Sequence, residues 1–478
     1  MKKVASVRIL HLSADFLWPA GDGGRLRSIA QLRVLASLPQ VDHIDMFCLA
    51  EEEITRERRA ELEREIPKVT VLDPVFHPVH LFRHRRYVPR VVMLRALRGV
   101  PYVAGKWDSP AVRRALRREL RGRAYDVVWI NGLGMGYYLP LVRELLPNAR
   151  VVLDQHNVES DRFVEFARRQ RGPRRLVADA EARAARRYER GVLRGVDAVG
   201  AISESDARGL RELAGVEAPV VPQVVSIVAR VERDTDSPRI CYAGKLSWEP
   251  NVRGVDWFCR EVWPLVRQRL PGATLEIAGA GLPTDADRQQ ITPSAWRAPG
   301  ITMLGFRSDI AAVYARSAAM IAPLFGPFGI SIKLLEAFRH GIPVVTTPDG
   351  AWGLAIESGR EAFIESEPAA FASRVVELAT TAETRARMRA AAYAYVEVSH
   401  GLGVAQATVA RLVGLSEPSP EPSARASVQP APWRRSASMR RTTSSQHERP
   451  SVPVDAVHGP RSGLPPQCRS RGLLEPRR

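Results

Sequence analysis

The chain has 478 residues, 45% of them hydrophobic and 26% charged, with a formal net charge of +18 carried mainly by arginine. That length exceeds one ordinary core and calls for two domains plus further segments. No run approaches the ~20 apolar residues of a membrane-spanning helix. The spacing of the four cysteines fits neither a zinc site nor a disulfide framework, and the positive balance favours polyanions (nucleic acid, anionic lipid, phosphorylated substrates) without choosing among them.

After Met1-Lys2-Lys3, the apolar run Val7–Leu12 is too short for a signal-peptide core and reads as a first strand, which implies a cytoplasmic location. Further Val- and Ile-rich runs follow at His43–Leu49, Val69–Leu72, Asp126–Ile130, Val151–Leu153 and Asp197–Ile202, with helical patterns between them. This is how buried parallel strands read. Ser109-Pro110 is an N-cap with proline in the first helical position. The helix it opens puts Val112, Ala115, Leu116 and Leu120 on one face and arginines on the other. A linker is expected over 223–238. A second series then runs through Ile240–Ala243, Ala273–Ala278, Ile301–Leu304, Ala318–Pro323, Ile342–Thr346 and Ala362–Ile364, closed by helices over 369–414. Cys48 and Cys241 sit inside apolar runs, as small buried core residues do.

The expected fold is α/β, with two doubly wound parallel-sheet Rossmann-like domains facing across a cleft. Residues 1–222 form the first domain, 223–238 the linker and 239–414 the second. Residues 415–478, rich in Pro, Arg and Ser, have a disordered-type composition and no assigned catalytic role.

Four stretches carry candidate chemistry. The loop Pro19–Arg27 follows the first strand and holds Gly23, Gly24, Arg25 and Arg27. Glycines let a backbone approach a ligand and a helix start favours an anion, but on local grounds a plain turn explains it as well. Asp154, His156, Asn157 and Glu159 follow the strand at 151–153, at a carboxyl end where ligands bind in open α/β sheets; simple capping of the next helix is the competing reading. Gly244-Lys245 ends the first strand of the second domain, where a cation suits a diphosphate or is an ordinary surface lysine. The segment Ile321–Thr347 turns from strand to helix, with Lys333 and Glu336 on one helix face: a diphosphate cation and a ribose acceptor, or an exposed pair of little consequence.

Taken in order, these stretches resemble the retaining nucleotide-sugar glycosyltransferases of family four, which have the GT-B fold; the nearest likeness is to bacterial sugar transferases of exopolysaccharide clusters. The resemblance spans about 7–414. It rests on Gly23-Gly24-Arg25…Arg27, Asp154…His156-Asn157…Glu159-Ser160, Tyr188-Glu189-Arg190, Asp197-Ala198-Val199 and Ser203-Glu204 with Asp206. Gly244-Lys245…Trp248-Glu249-Pro250-Asn251, Gly305-Phe306…Asp309 and Lys333…Leu335-Glu336-Ala337 complete it. The resemblance implies that Gly23, Gly24, Arg25 and Arg27 meet the donor phosphate or the acceptor. It places His156 near the reacting sugar, makes Lys245 and Lys333 the basic pair on the diphosphate, and sets Gly305 and Phe306 beside the base. Glu336 is implied on the ribose, with Gly244, Gly329, Ile330, Ser331 and Leu335 completing the donor side. The sequence departs from the family where Phe328 stands for a common glutamate, Ser331 for an arginine, and Lys245 for the more usual arginine.

The implied reaction transfers a sugar with retention from a nucleotide-diphosphate sugar, such as a UDP- or GDP-sugar, to a glycan or lipid-linked acceptor. No cofactor or metal is expected: Asp234-Thr235-Asp236 falls in the linker and reads as a solvated turn. Residues 80–98 interleave Arg with Phe, Tyr, Val, Met and Leu, as a segment lying on an anionic membrane surface would. No motif for specific nucleic-acid recognition accompanies the charge. Two other readings keep the fold: a catalytically silent scaffold of a polysaccharide machine, and a nucleotide-sugar epimerase.

Overall fold

The apolar runs of the first half become strands covered by helices on both faces. The computed structural model describes residues 6–19, 23–78, 88–168, 170–228, 237–282, 291–326 and 329–416. In chain order the first half contains β1 (Val7–Ser13), α1 (Gly23–Ser37), β2 (Val41–Ala50), α2 (Arg56–Glu65), β3 (Val69–Val71), β4 (Val75–Phe76), α3 (Val88–Arg98), α4 (Tyr102–Gly105) and α5 (Pro110–Leu120). β5 (Val127–Asn131), α6 (Leu139–Leu145), β6 (Arg150–Gln155), α7 (Glu159–Arg168), α8 (Pro173–Gly195), β7 (Ala198–Ala201) and α9 (Glu204–Ala214) follow. Ser109 caps α5 by accepting from the Val112 amide, and Val112, Ala115, Leu116 and Leu120 are its buried face, as the spacing predicts. α9 starts under the Ser203 cap and stops at Gly215, whose φ of +70° only glycine adopts without strain.

The first sheet is parallel in the order β3-β2-β1-β5-β6-β7, with the short β4 extending the end of β2. The chain reverses direction between β1 and β5. There Ser13 stands opposite Asn131, and Asn131 opposite Asp154, in one row near the carboxyl ends of the strands.

The second half contains β8 (Arg239–Ala243), α10 (Glu249–Trp257), α11 (Trp263–Arg269), β9 (Thr274–Ala278), β10 (Ile301–Gly305), α12 (Ile310–Ala315), β11 (Ala319–Ala322), α13 (Ile332–Arg339), β12 (Val344–Thr346) and β13 (Phe363–Ile364). α14 (Pro368–Thr380), α15 (Ala382–His400) and α16 (Leu402–Val413) end it. Its sheet is also parallel, β10-β9-β8-β11-β12-β13, with the reversal between β8 and β11. Open α/β sheets bind ligands at such reversals. The reversal in each sheet therefore marks where a site belongs.

One expected boundary is corrected. The sequence pattern places the second domain as far as residue 414, yet α16 leaves it. Ala405, Val409, Ala410, Leu412 and Val413 complete a core of the first sheet with Leu32, Leu35 and Val152. Arg150 donates to the Leu412 carbonyl at 2.7 Å, and Gln406 to the Ser37 hydroxyl at 2.9 Å. The crossing between halves is also fastened at 221–228, where the amides of Val221, Val225 and Val228 donate to Ala201, His400 and Arg339. The rest of the expected linker, 229–236, lies outside the described residues. Among the described residues no helix is long and apolar enough to cross a membrane.

Candidate active site

Four loops at the carboxyl ends of the strands come together. A Cβ built on Gly329 would stand 2.7 Å from Asn157 Oδ1 and 3.6 Å from the His156 carbonyl, so the loop after β11 lies against the loop after β6 and any side chain at 329 would push the Asn157 amide aside. Gly23, at the start of α1, lies against Ile332 at the start of α13, with 3.3 Å from its Cβ position to Ile332 Cδ1. Gly244, after β8, presents its backbone to Lys333, with 3.1 Å from its Cβ position to Nζ.

Lys333 stands in the first turn of α13. Its Nζ donates to Asn251 Oδ1 at 2.6 Å and to the Tyr242 hydroxyl at 3.1 Å, and it lies 4.7 Å from the Tyr242 ring centre. These partners are neutral, and no carboxylate among the described residues pairs with the ammonium. Desolvation therefore lowers its pKa to about 7. Beside it, Ser331 occupies the cap position of α13 without making a cap bond, and its buried Oγ has no partner among the described residues. Asn251, which the sequence reading matched without a role, turns out to join both lysines. While accepting from Lys333, it donates to the Lys245 carbonyl at 2.8 Å, fixing the turn after β8. Lys245 itself is exposed. The loop after β11 is held from below: the Leu324 amide donates to Thr347 Oγ1 at 3.0 Å and the Gly326 amide to Asp349 Oδ2 at 2.7 Å.

On the facing side, His156 Nε2 lies 3.0 Å from Asp154 Oδ2. Asp154 is fully buried; burial alone would raise its pKa, but the Arg27 guanidinium and His156 hold it below the usual carboxylate range. Arg27 Nη2 donates to Asp154 Oδ1 at 2.9 Å and Nη1 to the Val221 carbonyl at 3.1 Å. This corrects the expectation that Arg27 meets a ligand. At 1% exposure it is a structural counter-ion, and its action on the site runs through Asp154. His11, also buried near Asp154, is kept neutral by desolvation, its pKa lowered to about 4. The β6–α7 loop is organised by Glu189, fully buried, which accepts from Gln155 Nε2 and from the amides of Glu159 and Ser160 at 2.7–2.9 Å. Glu189, rather than His156 or Asp154, thus serves the start of α7. Glu159 points elsewhere, to Arg162 at 3.4 Å.

The remaining expected residues divide. Glu336 is half-buried on α13 and shares its carboxylate with Arg339, 3.3 Å away. Gly305 has φ +66° and carries Phe306, which is 71% exposed, at the end of β10. Arg25 is half-buried and pairs with Asp15 at 2.7 Å, while Gly24 is exposed. Leu335 is corrected: its side chain is fully buried in the core under α13 and cannot face a donor. Ile330 is 8% exposed and packs in the same core. Phe328 lies outside the described residues, as do 20–22 of the first glycine loop.

Two family models match this layout. Residues 23–224 match the glycosyl transferase 4-like domain, and residues 237–381 match glycosyl transferases group 1. The chain belongs to the group 1 glycosyltransferases. A 44.6 kDa Klebsiella pneumoniae protein of the cps region, itself uncharacterized, is 22% identical over 377 residues, covering 77% of this glycosyltransferase and 90% of the relative. Among solved structures, Anabaena HepE in complex with UDP and glucose has a TM-score of 0.56 at 16% identity, covering 85% of this chain and 99% of HepE. Sucrose-phosphate synthase from Thermosynechococcus elongatus has a TM-score of 0.59 at 15% identity, covering 85% and 98%. At these identities the structural likenesses establish the GT-B fold, and the cps-region relative fits a protein of an exopolysaccharide cluster.

Proposed function

We propose that this glycosyltransferase moves a sugar from a nucleoside-diphosphate sugar to a glycan or lipid-linked acceptor in cell-surface polysaccharide synthesis. The observation that carries this reading is Lys333: a desolvated ammonium with no carboxylate partner among the described residues, beside a Ser331 hydroxyl that likewise has no partner among them, at the start of α13 and at the chain reversal of the second sheet. A cation and helix amides arranged in this way suit a diphosphate. HepE, of the same fold, is crystallised with UDP and with UDP-glucose.

In this reading Lys333 and the exposed Lys245 take the diphosphate, Phe306 and Gly305 flank the base, and Glu336 turns from Arg339 to the ribose hydroxyls. His156, oriented by Asp154, positions the donor sugar. The bond from the anomeric carbon to the leaving phosphate oxygen breaks as the acceptor oxygen bonds to the same face. The acceptor proton passes to the departing phosphate, so configuration is retained. The charge developing on the leaving group is met by the lysines and α13 without a bound metal ion. Transfer takes place on the cytoplasmic side, with the outer surface of α3 against an anionic membrane; residues 79–87 of the basic segment lie outside the described residues.

The test is a thermal-shift screen of the purified chain against UDP, GDP, ADP and their common sugars. One nucleoside diphosphate is expected to stabilise the protein, and the shift to vanish in Lys333→Ala and Glu336→Ala. A folded protein that no nucleotide stabilises would remove the donor site and return the scaffold reading.

A further inference from the structure

Among the described residues the chain passes between its halves in two places: through the segment that begins at Val221, and again where α15 gives way to α16. His400, the last residue of α15, stands where these crossings meet and is 6% exposed. Its ring and its backbone both bind the other crossing. Nδ1 lies 2.8 Å from the Gln223 carbonyl, and the His400 carbonyl accepts from the Val225 amide at 3.1 Å. Nε2 lies 3.2 Å from the Tyr395 hydroxyl.

The direction of each bond follows from the groups. A carbonyl can only accept, so Nδ1 carries the proton, and Nε2 of the neutral ring accepts from Tyr395. Burial keeps the ring neutral, with its pKa lowered to about 4. The Tyr395 oxygen in turn accepts from the Ala355 amide at 3.2 Å.

This chain of bonds reaches both sides of the site. On the donor side, Tyr395 stands edge-on to Phe338 of α13, the helix that carries Lys333 and Glu336, with ring centres 6.1 Å apart. Ala355 belongs to the loop after β12. In that loop Gly353 packs against Ile330 and against Ser203 of the first half, 2.9 and 3.3 Å from its Cβ position. On the facing side, the crossing held by His400 begins at Val221, whose carbonyl accepts from Arg27. Arg27 binds Asp154, and Asp154 lies against His156. Further along the same crossing, the Ser226 carbonyl accepts from Arg339 Nε at 3.0 Å, which ties it to the end of α13. Buried hydrogen bonds of this kind strengthen one another and hold a single geometry.

We propose that His400 is a positioning residue: it fastens the two crossings together and so sets the pose of the half that carries His156 against the half that carries Lys333. It touches no ligand. The proposal rests on the sugar-transfer reading above for its consequence, since a misplacement of about 1 Å at the reacting groups costs about a hundredfold in rate.

The experiment measures the distance between nitroxide labels on the two halves by pulsed electron paramagnetic resonance. The full chain carries Cys468→Ser, with Ala60→Cys on α2 and Ala386→Cys on α15, both at exposed positions; Cys48, Cys241 and Cys259 are buried. This parent is expected to give one narrow distance distribution. His400→Ala is expected to shift or broaden it beyond the spread of repeat measurements. His400→Asn, whose amide nitrogen takes the place of Nδ1, is expected to restore it. Tyr395→Phe, which keeps the ring beside Phe338 and removes the hydroxyl, is expected to broaden it less than the alanine variant does. A cooperative thermal melt shows that each variant is folded, and Tyr395→Phe decides the matter if His400→Ala is not. A broad distribution in the parent, or one unchanged in both His400→Ala and Tyr395→Phe, overturns the proposal. An asparagine variant as broad as the alanine variant overturns the part assigned to the Gln223 bond. If no nucleotide stabilises the parent while the distance depends on His400, the donor reading fails and the positioning role stands.

Discussion

Lys333 has a pKa of about 7 because burial beside Tyr242 and Asn251 disfavours its charged form. A bound diphosphate needs that charge. In the free protein the ammonium is protonated below pH 7 and is lost as the pH rises through that value; in the complex the phosphate holds the proton. Binding above pH 7 must therefore take up a proton. Nucleoside diphosphate affinity is expected to be greatest between about pH 6, where phosphate begins to protonate, and pH 7, and to fall toward about tenfold per pH unit above it. Titration calorimetry from pH 6 to 9 measures this, and Lys333→Ala should bind weakly with no such slope. An affinity flat from pH 7 to 9 in the wild type would mean that Lys333 does not meet the phosphate. Arg27 shows the opposite case at the same scale. Its charge is already answered by Asp154, so it stabilises the loop geometry.

At the scale of elements, α16 is where order along the chain and order in space part. It follows the helices that cover the second sheet, yet it fills a core of the first. Leu412, 4% exposed, should behave as a first-half core residue: Leu412→Ala is expected to cost about 2–5 kcal/mol. Chemical denaturation followed by the fluorescence of Trp129, fully buried on β5, reads that loss directly, with the other tryptophans replaced by phenylalanine. A change below about 0.5 kcal/mol would mean that α16 is dispensable to the first core. The destination of α16 was not legible in the sequence, because an amphipathic stripe says that a face is buried and not against what. The strands were legible to within a residue or two, since short runs rich in Val, Ile and Leu between turn residues mark buried parallel strands. β4 was not, being only Val75 and Phe76. In the site, the glycines and Lys333 were readable from their position between strand and helix. Asn251 and Glu189 carried no signal of their tasks, because an amide bridging two loops and a carboxylate serving another helix depend on contacts distant in sequence. Arg27 and Leu335 were misplaced because a motif gives spacing, not the direction in which a side chain points.

At the scale of the molecule, the excess of arginine and the exposed apolar groups occur together. Val92, Met93 and Leu97 on α3 are 52–77% exposed, with exposed Arg98 beside them. Arg95 ties this helix to α8 through Glu181 at 2.8 Å. The start of α8 exposes Leu176 and Val177 among Arg174 and Arg175, and Phe166 at the end of α7 is 59% exposed. Apolar side chains ringed by arginine insert shallowly into a bilayer while the guanidinium groups meet anionic headgroups. A chain ending at Ser416, which removes the arginines of 417–478 from the comparison, is expected to sediment with phosphatidylglycerol vesicles and not with phosphatidylcholine vesicles. Salt should weaken the attachment, because screening shortens the reach of the arginines. Replacing Val92 and Leu97 with aspartate should abolish sedimentation while leaving the nucleotide thermal shift intact, because neither side chain is in the donor site. If the double variant still sediments, charge alone holds the protein to the vesicle and α3 does not enter it. If the parent chain stays in the supernatant, neither α3 nor the arginines around it hold the protein to an anionic membrane.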